Sequence, residues 1–241
     1  MRTEEFISAT IRKIQSGDTL VKDKLPLGIK ADGELLFSHE RADEKVCAIH
    51  HTAITGNGAT EYIKRLICVL STLYKKGEAQ FLILSPKSEY GELLRLQNAD
   101  ITAPFISSLE QLNQAKETYK TLLSFAERNP KAPKLFLVLD GLETLTENET
   151  GDLASYREFL ELSARKKAEV ITGANLIKSI FSGFPGAFVG VGNCLVTTGF
   201  GAQADATFVA PDSSMSLPTA ITVPDTPSVP ETVLFLNAFK A

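Results

Sequence analysis

The stretch HTAITGNGATEY, His51 to Tyr62, decides how the chain is read. From Ala53 to Thr60 it keeps the spacing of a phosphate-binding P-loop, in which a strand, a glycine-rich turn and a helix follow one another. Gly56 and Gly58 supply the turn around Asn57, and Thr60 stands where the loop's hydroxyl binds Mg²⁺. Two positions depart from the pattern. Ala53 replaces the first glycine with another small residue, and Ala59 stands where the loop carries its lysine. Without that ammonium, a triphosphate site loses a full positive charge and its charge-assisted hydrogen bonds. Each such contact is worth about 1.5–3 kcal/mol, roughly ten- to a hundred-fold in binding. Glu61 adds a carboxylate at the helix N-terminus that phosphate would use, so it is expected to cap that helix and repel nucleotide.

Further along, LFLVLDGLETL has the form of a Walker B strand, an apolar run ending in Asp140. Its carboxylate would polarise a Mg²⁺ shell from a strand end next to the loop. The glutamate that activates water would follow at position 141, where the chain has Gly141, and Glu143 lies two residues further on. The degenerate nucleotide-binding set is therefore Ala53, Gly56, Asn57, Gly58, Ala59, Thr60 and Asp140. Thr60 and Asp140 count as metal ligands only if Mg-nucleotide binds. No residue is assigned as catalytic, and no cofactor is expected beyond weak ATP/Mg²⁺.

Outward from the loop, apolar runs alternate with helical stripes. KVCAIHH reads as a buried strand leading into the loop. After it, Ile63, Leu66, Ile67, Leu70 and Leu73 form one face of a helix ending near Gly77. FLIL is a second strand, and APFI a short one before a long amphipathic helix closed by Pro130. LFLVLD is a third buried strand, SYREFLELSARKKA a further helix and AEVITGA a fourth strand. Continuous apolar strands alternating with helices predict an α/β fold, a mostly parallel sheet with helices on both faces. Residues 1–24 read as an amphipathic N-terminal helix with Phe6, Ile7, Ile11 and Ile14 at helical spacing. LPLGIKADGELLF reads as an extended approach turning at Ala31–Gly33, within a domain over 25–210. Residues 211–241, rich in Pro, Ser and Thr, read as extended surface chain with VLFLNAF as a final strand.

Composition narrows the function classes. Hydrophobic residues make up 44% and charged residues 22% of 241, a globular balance with enough apolar chain for a sizeable core. A net charge of −4 and the absence of tryptophan argue against a nucleic-acid wrap or a base-stacking platform. Cys47, Cys68 and Cys194 are far apart and suit reduced thiols in the cytoplasm rather than zinc ligands. Adjacent His50 and His51 would point to opposite faces of a strand. The uncharged stretch Ser179–Ala204 is long enough to span a bilayer, but its six glycines punctuate it into strands and turns, so no integral membrane segment is expected. Gly199, Gly201 and Ala204 match G-x-G-x-x-A, a dinucleotide fingerprint lacking the helix that must follow it.

Taken in order from Leu25 to Asn175, the segments resemble the FtsK/SpoIIIE family of P-loop motor domains within the HerA superfamily. LPLGIKADGELLF resembles the family's stretch before the P-loop, and SPK at Ser85–Lys87 resembles its DPK, with serine replacing the aspartate. FLELSARKKAEVITGA resembles the helix carrying an arginine, here Arg165, and the strand of the sensor residue, nearest to Asn175. The resemblance implies a RecA/FtsK-like fold. The departures at the P-loop lysine (Ala59), the Walker B glutamate (Gly141) and the DPK aspartate (Ser85) make the chain similar to the degenerate ATPase modules of type VII secretion coupling proteins.

The first reading is a catalytically inactive module acting through protein contacts in a translocation or secretion assembly, with a homo-oligomer left open. The alternative is an active or nucleotide-sensing NTPase that takes its lysine from a neighbouring subunit or from Lys87, with DNA association less favoured than protein binding.

Overall fold

The computed structural model describes residues 12, 25–30, 35–37, 51–56, 59–97, 99–145, 158–159, 161–163, 168–174, 193–197, 204–209 and 219–223. Two short strands come first, β1 (Pro26–Lys30) and β2 (Leu35–Phe37), and they pair antiparallel. β3 (His51–Gly56) leads to helix α1 (Ala59–Leu73), and β4 (Ala79–Leu84) to a 3₁₀ helix at Ser88–Arg95. β5 (Asp100–Thr102) precedes helix α2 (Leu109–Arg128). β6 (Lys134–Asp140) runs into a 3₁₀ turn at Leu142–Leu145, and β7 (Glu169–Ala174), β8 (Asn193–Thr197), β9 (Ala204–Val209) and β10 (Thr219–Val223) complete the order.

Among the described residues, ten strands join one sheet in the order β2-β1-β10-β9-β8-β3-β7-β6-β4-β5. From β8 to β5 every neighbouring pair is parallel, and from β8 to β2 every pair is antiparallel. β3 is therefore central, flanked by β7 and β8, which is why even its Thr52 is fully buried.

Alternation along β6 separates the two faces. Phe136 and Val138 pack with Phe81, Ile83 and the α1 residues Ile63, Leu66, Ile67 and Leu70. Leu135, Leu137 and Leu139 pack instead with Leu82, Leu84 and the α2 residues Leu112, Ala115, Tyr119 and Leu123. Helices thus cover both faces, as expected of buried parallel strands. On the α1 side Phe81 and Phe136 stack with centroids 4.7 Å apart. The hydroxyl of Tyr62 donates to the carbonyl of Leu27, tying α1 to β1.

Several boundaries differ from the sequence reading. The strand before the loop occupies HTAITG, so Ala53 and Gly56 lie within β3. α1 ends at Leu73, and Gly77 forms the turn beyond it at φ +82°. The short strand before α2 is Asp100–Thr102, while Phe105 contributes a single bridge to Ser85. α2 begins where the Ser108 side chain accepts from the Gln111 amide at 3.3 Å, and its last turn closes at Asn129.

The largest difference concerns the tail. Thr219–Val223, read as surface chain, is a sheet strand between β1 and β9, so the sheet draws on residues beyond the expected boundary at 210. The final strand expected in VLFLNAF lies outside the described residues, as does the N-terminal helix apart from the helical Arg12. In the helix expected over SYREFLELSARKKA, residues 158–159 and 161–163 are helical. Among the described residues no helix is long and apolar enough to cross a membrane.

Candidate functional site

In parallel sheets, ligands sit beyond the carboxyl ends of the strands, where β3, β6 and β4 hand over to their following segments. Thr60 is the second residue of α1, two residues past the break after β3. Asp140 ends β6. β7 separates these strands in the sheet, so Asp140 is not on the strand beside the loop, as the sequence suggested. The two side chains nevertheless meet: Thr60 Oγ1 donates to Asp140 Oδ2 at 2.8 Å.

Gly173 permits this approach. It pairs with Ile54 of β3 and Asp140 of β6, and a Cβ there would lie 2.2 Å from Asp140 Oδ1 and 2.7 Å from Ile63 Cδ1. Its backbone is outside the left-handed region, so glycine is required here for space rather than for conformation.

Lys87 completes the cluster. After β4, Ser85 bridges Phe105, and its hydroxyl accepts from the Lys87 amide at 3.1 Å. This holds the backbone from which the lysine reaches across the sheet. Its ammonium donates to Thr60 Oγ1 at 2.6 Å and to Asp140 Oδ2 at 3.0 Å. Three residues on, the Tyr90 hydroxyl donates to the same Oδ2 at 2.9 Å. Lys87, at the extended N-cap of the 3₁₀ helix, and Tyr90 within it thus converge on one oxygen.

One carboxylate oxygen thus accepts from a hydroxyl, an ammonium and a phenol, satisfying a charge that is only 1% exposed. Lys87 keeps its side chain 36% exposed, at the mouth of the cluster. Burial first, and then the neighbouring Asp140 charge, push the Tyr90 phenol far above the ordinary tyrosine value.

Gly141, at the position of the missing glutamate, has a local role of its own. Its φ of +73° suits glycine, its amide donates to the Gly173 carbonyl at 2.9 Å, and its carbonyl accepts from Thr144 Oγ1 at 2.7 Å. A Cβ there would lie 2.8 Å from Lys87 Cε and 3.3 Å from Lys87 Nζ. The stem of the lysine occupies the space a side chain at 141 would need.

The remaining expectations divide. Ala59 is buried at the first position of α1, contributing no charge. Ala53 lies mid-strand, in register with Thr172 and Cys194, rather than at the start of a loop. Gly56 ends β3, while Asn57 and Gly58 lie outside the described residues, as do Arg165, Asn175, His50, Cys47, Gly199 and Gly201. Glu143 sits in the 3₁₀ turn after β6. Ala204 opens strand β9, so the helix a dinucleotide fingerprint requires is replaced by a strand.

Glu61 lies in the first turn of α1 and bonds forward to Lys64 Nζ at 3.2 Å and Arg65 Nε at 3.3 Å, while the residues just before Ala59 that it would cap lie outside the described residues. Partial burial raises its carboxyl, yet Lys64 and Arg65 outweigh that and hold it below the ordinary glutamate value. Lys64 also pairs with Glu92 of the 3₁₀ helix. Among the described residues no group of three or more His, Cys, Asp or Glu could hold a metal.

Thr60 and Asp140 are the correct donor types for Mg²⁺ in a P-loop site. Here, however, an ammonium lies within hydrogen-bond distance of both. A divalent ion at the same place would sit against a fixed positive charge. As arranged, the pair does not fit Mg²⁺.

Tyr90 and Gly173 were not singled out from the sequence. Tyr90 had a signal in its spacing from Lys87, whereas nothing local marks Gly173.

No protein-family model matches the sequence, and comparison with curated proteins finds no match. Solved structures do resemble the fold. A chain described as an ATPase has a TM-score of 0.59 at 15% identity, over 85% of this chain and 88% of its own. EssC (ATPases 2 and 3) from Geobacillus thermodenitrificans has a TM-score of 0.58 at 16% identity, over 84% of this chain and 41% of its own. Thermomonospora curvata EccC (ATPases 2 and 3), in complex with a signal sequence peptide, has a TM-score of 0.58 at 13% identity, over 86% of this chain and 41% of its own. This chain therefore spans less than half the length of those EssC and EccC chains. At such identities the likeness shows the fold, an ATPase-type α/β domain.

Proposed function

We propose that this chain is an FtsK/SpoIIIE-like ATPase module that does not hydrolyse nucleotide and acts through protein contacts in a secretion or translocation assembly. The observation that carries this reading is the position of the Lys87 ammonium, bonded to both Thr60 and Asp140. Hydrolysis in this fold depends on a lysine at the loop, a metal held by the hydroxyl and the strand-end carboxylate, and a group that orients water. Ala59 supplies no charge, one oxygen of the carboxylate already accepts from three donors of the chain, and Gly141 has no side chain. Kinship of fold with EssC and with EccC, the latter solved with a signal sequence peptide, supports a peptide or protein as the partner.

Two measurements test this reading together: calorimetric titration with ATP and ADP, with and without Mg²⁺, and a phosphate-release assay. The expected results are millimolar or undetectable binding and no turnover above a protein-free blank. Micromolar, Mg²⁺-dependent binding with steady phosphate release would establish instead a working NTPase with an unconventional lysine.

A further inference from the structure

We propose that Lys87 is a built-in replacement for the divalent cation, so that the Thr60–Asp140 pair binds an ammonium carried by the chain itself and takes no metal. This rests on reading the loop as that of a P-loop domain and goes beyond inactivity, since a silent site could still hold Mg²⁺. Three observations support it. The ammonium is 2.6 Å from the hydroxyl and 3.0 Å from the carboxylate that would share a metal. Asp140 Oδ2 also receives Tyr90 and Thr60, so this oxygen is neutralised and hydrogen-bonded by the chain itself. Gly141 leaves free the space that the Lys87 stem traverses, with Cε only 2.8 Å from where a Cβ would stand. A side chain at 141 would force the Lys87 stem to shift from this course, so the lost glutamate position and the placement of the ammonium are coupled.

The ammonium also joins three elements, the start of α1, the segment after β4 and the end of β6, as a shared cation would. A lysine differs from a metal in one respect, because it cannot leave. The site's cation is then present regardless of the Mg²⁺ concentration around it.

The test is divalent-dependent thermal stability of four proteins: wild type, Lys87→Met, Asp140→Asn and the Lys87→Met/Asp140→Asn pair. Each is heated with and without 20 mM Mn²⁺, a concentration on the order of 20 times an assumed dissociation constant of about 1 mM. Lys87→Met should unfold at a lower temperature, because Asp140 loses its cation, and Mn²⁺ should restore about 4–7 °C. Neither wild type nor the double variant should respond. A Mn²⁺ shift in the wild type that Asp140→Asn abolishes would overturn the proposal, and so would a folded Lys87→Met that ignores Mn²⁺. If Lys87→Met does not fold, amide NMR of the wild type decides. Gly141 and Gly173 signals that stay sharp as Mn²⁺ is added support the proposal, and selective broadening there refutes it. ATP turnover by the wild type would refute the inactive reading through a separate readout.

Discussion

Replacing Gly173 with alanine adds a single methyl group at the crossing point of the site. That Cβ would lie 2.2 Å from Asp140 Oδ1, 2.8 Å from Asp140 Cγ and 2.7 Å from Ile63 Cδ1, all closer than real Cβ atoms approach. The carboxylate must then shift by about 1 Å to restore van der Waals contact. Moving it strains the bonds from Thr60, Lys87 and Tyr90, now 2.8, 3.0 and 2.9 Å. Overpacking costs about 1–3 kcal/mol and losing one bond to a buried charge about 1.5–3 kcal/mol more, so Gly173→Ala should destabilise by about 3–5 kcal/mol. With a urea slope of about 2–3 kcal/mol per molar, the midpoint should fall by about 1–2 M. Gly91→Ala is the control, because nothing lies within 4 Å of its added Cβ. It should stay within about 0.5 kcal/mol of wild type. Gly77→Ala separates backbone from packing. It too has open space, but its φ of +82° should cost about 1–2 kcal/mol. Equal midpoints for Gly173→Ala and Gly91→Ala would refute the close packing of β7 beneath Asp140.

Tyr90→Phe removes one of three donors to a buried carboxylate and should cost about 1.5–3 kcal/mol in urea unfolding. Tyr119→Phe, whose hydroxyl meets the neutral Ser163 at 2.6 Å, should cost only about 0.5–1.5 kcal/mol, and a reversed ranking would contradict the charge-assisted account. Burial raises the phenols of Tyr62, Tyr90 and Tyr119 above the usual 10.0. The folded state thus favours their neutral forms. Their contribution is intact below about pH 10 and declines above it, by about 1.4 kcal/mol per tyrosine per pH unit while the folded groups stay protonated. Absorbance at 295 nm from these tyrosines should therefore rise together with loss of circular dichroism, and ionisation of all three in a still-native protein would argue against it. Ser108→Ala removes the N-cap of α2 and should cost about 1 kcal/mol, read as a shift in the unfolding midpoint.

Local patterns made much of the parallel half legible. The stripe Ile63, Leu66, Ile67 and Leu70 is the buried face of α1, and LFLVLD is a strand ending at the site. These features repeat over short distances and follow from side-chain periodicity. The P-loop and Walker B patterns also placed Thr60 and Asp140 in one site, and Lys87 entered only as a source of the missing loop lysine in the active-NTPase alternative. Its contact with both residues was not readable, because it depends on β7 entering the sheet between β3 and β6. Gly173 acquires its importance from that same insertion. In the antiparallel half, TAITV lies in a proline- and serine-rich setting that reads as surface chain. Its partners, β1 and β9, are supplied by distant sequence, which local composition does not encode.

The pairing of Ile29 with Thr222 sets a schedule for synthesis. About 190 residues separate these partners, so at roughly 5–20 residues per second β1 leaves the ribosome about 10–40 s before β10 can reach it. β3 likewise waits for both β7 and β8, each more than 100 residues downstream by their register with Thr52. During that interval the β1–β2 hairpin and β3 carry unpaired edges open to any extended chain nearby. The nascent polypeptide would benefit from shielding until its late strands arrive, and slowing translation ahead of β7 should lower the yield of soluble protein.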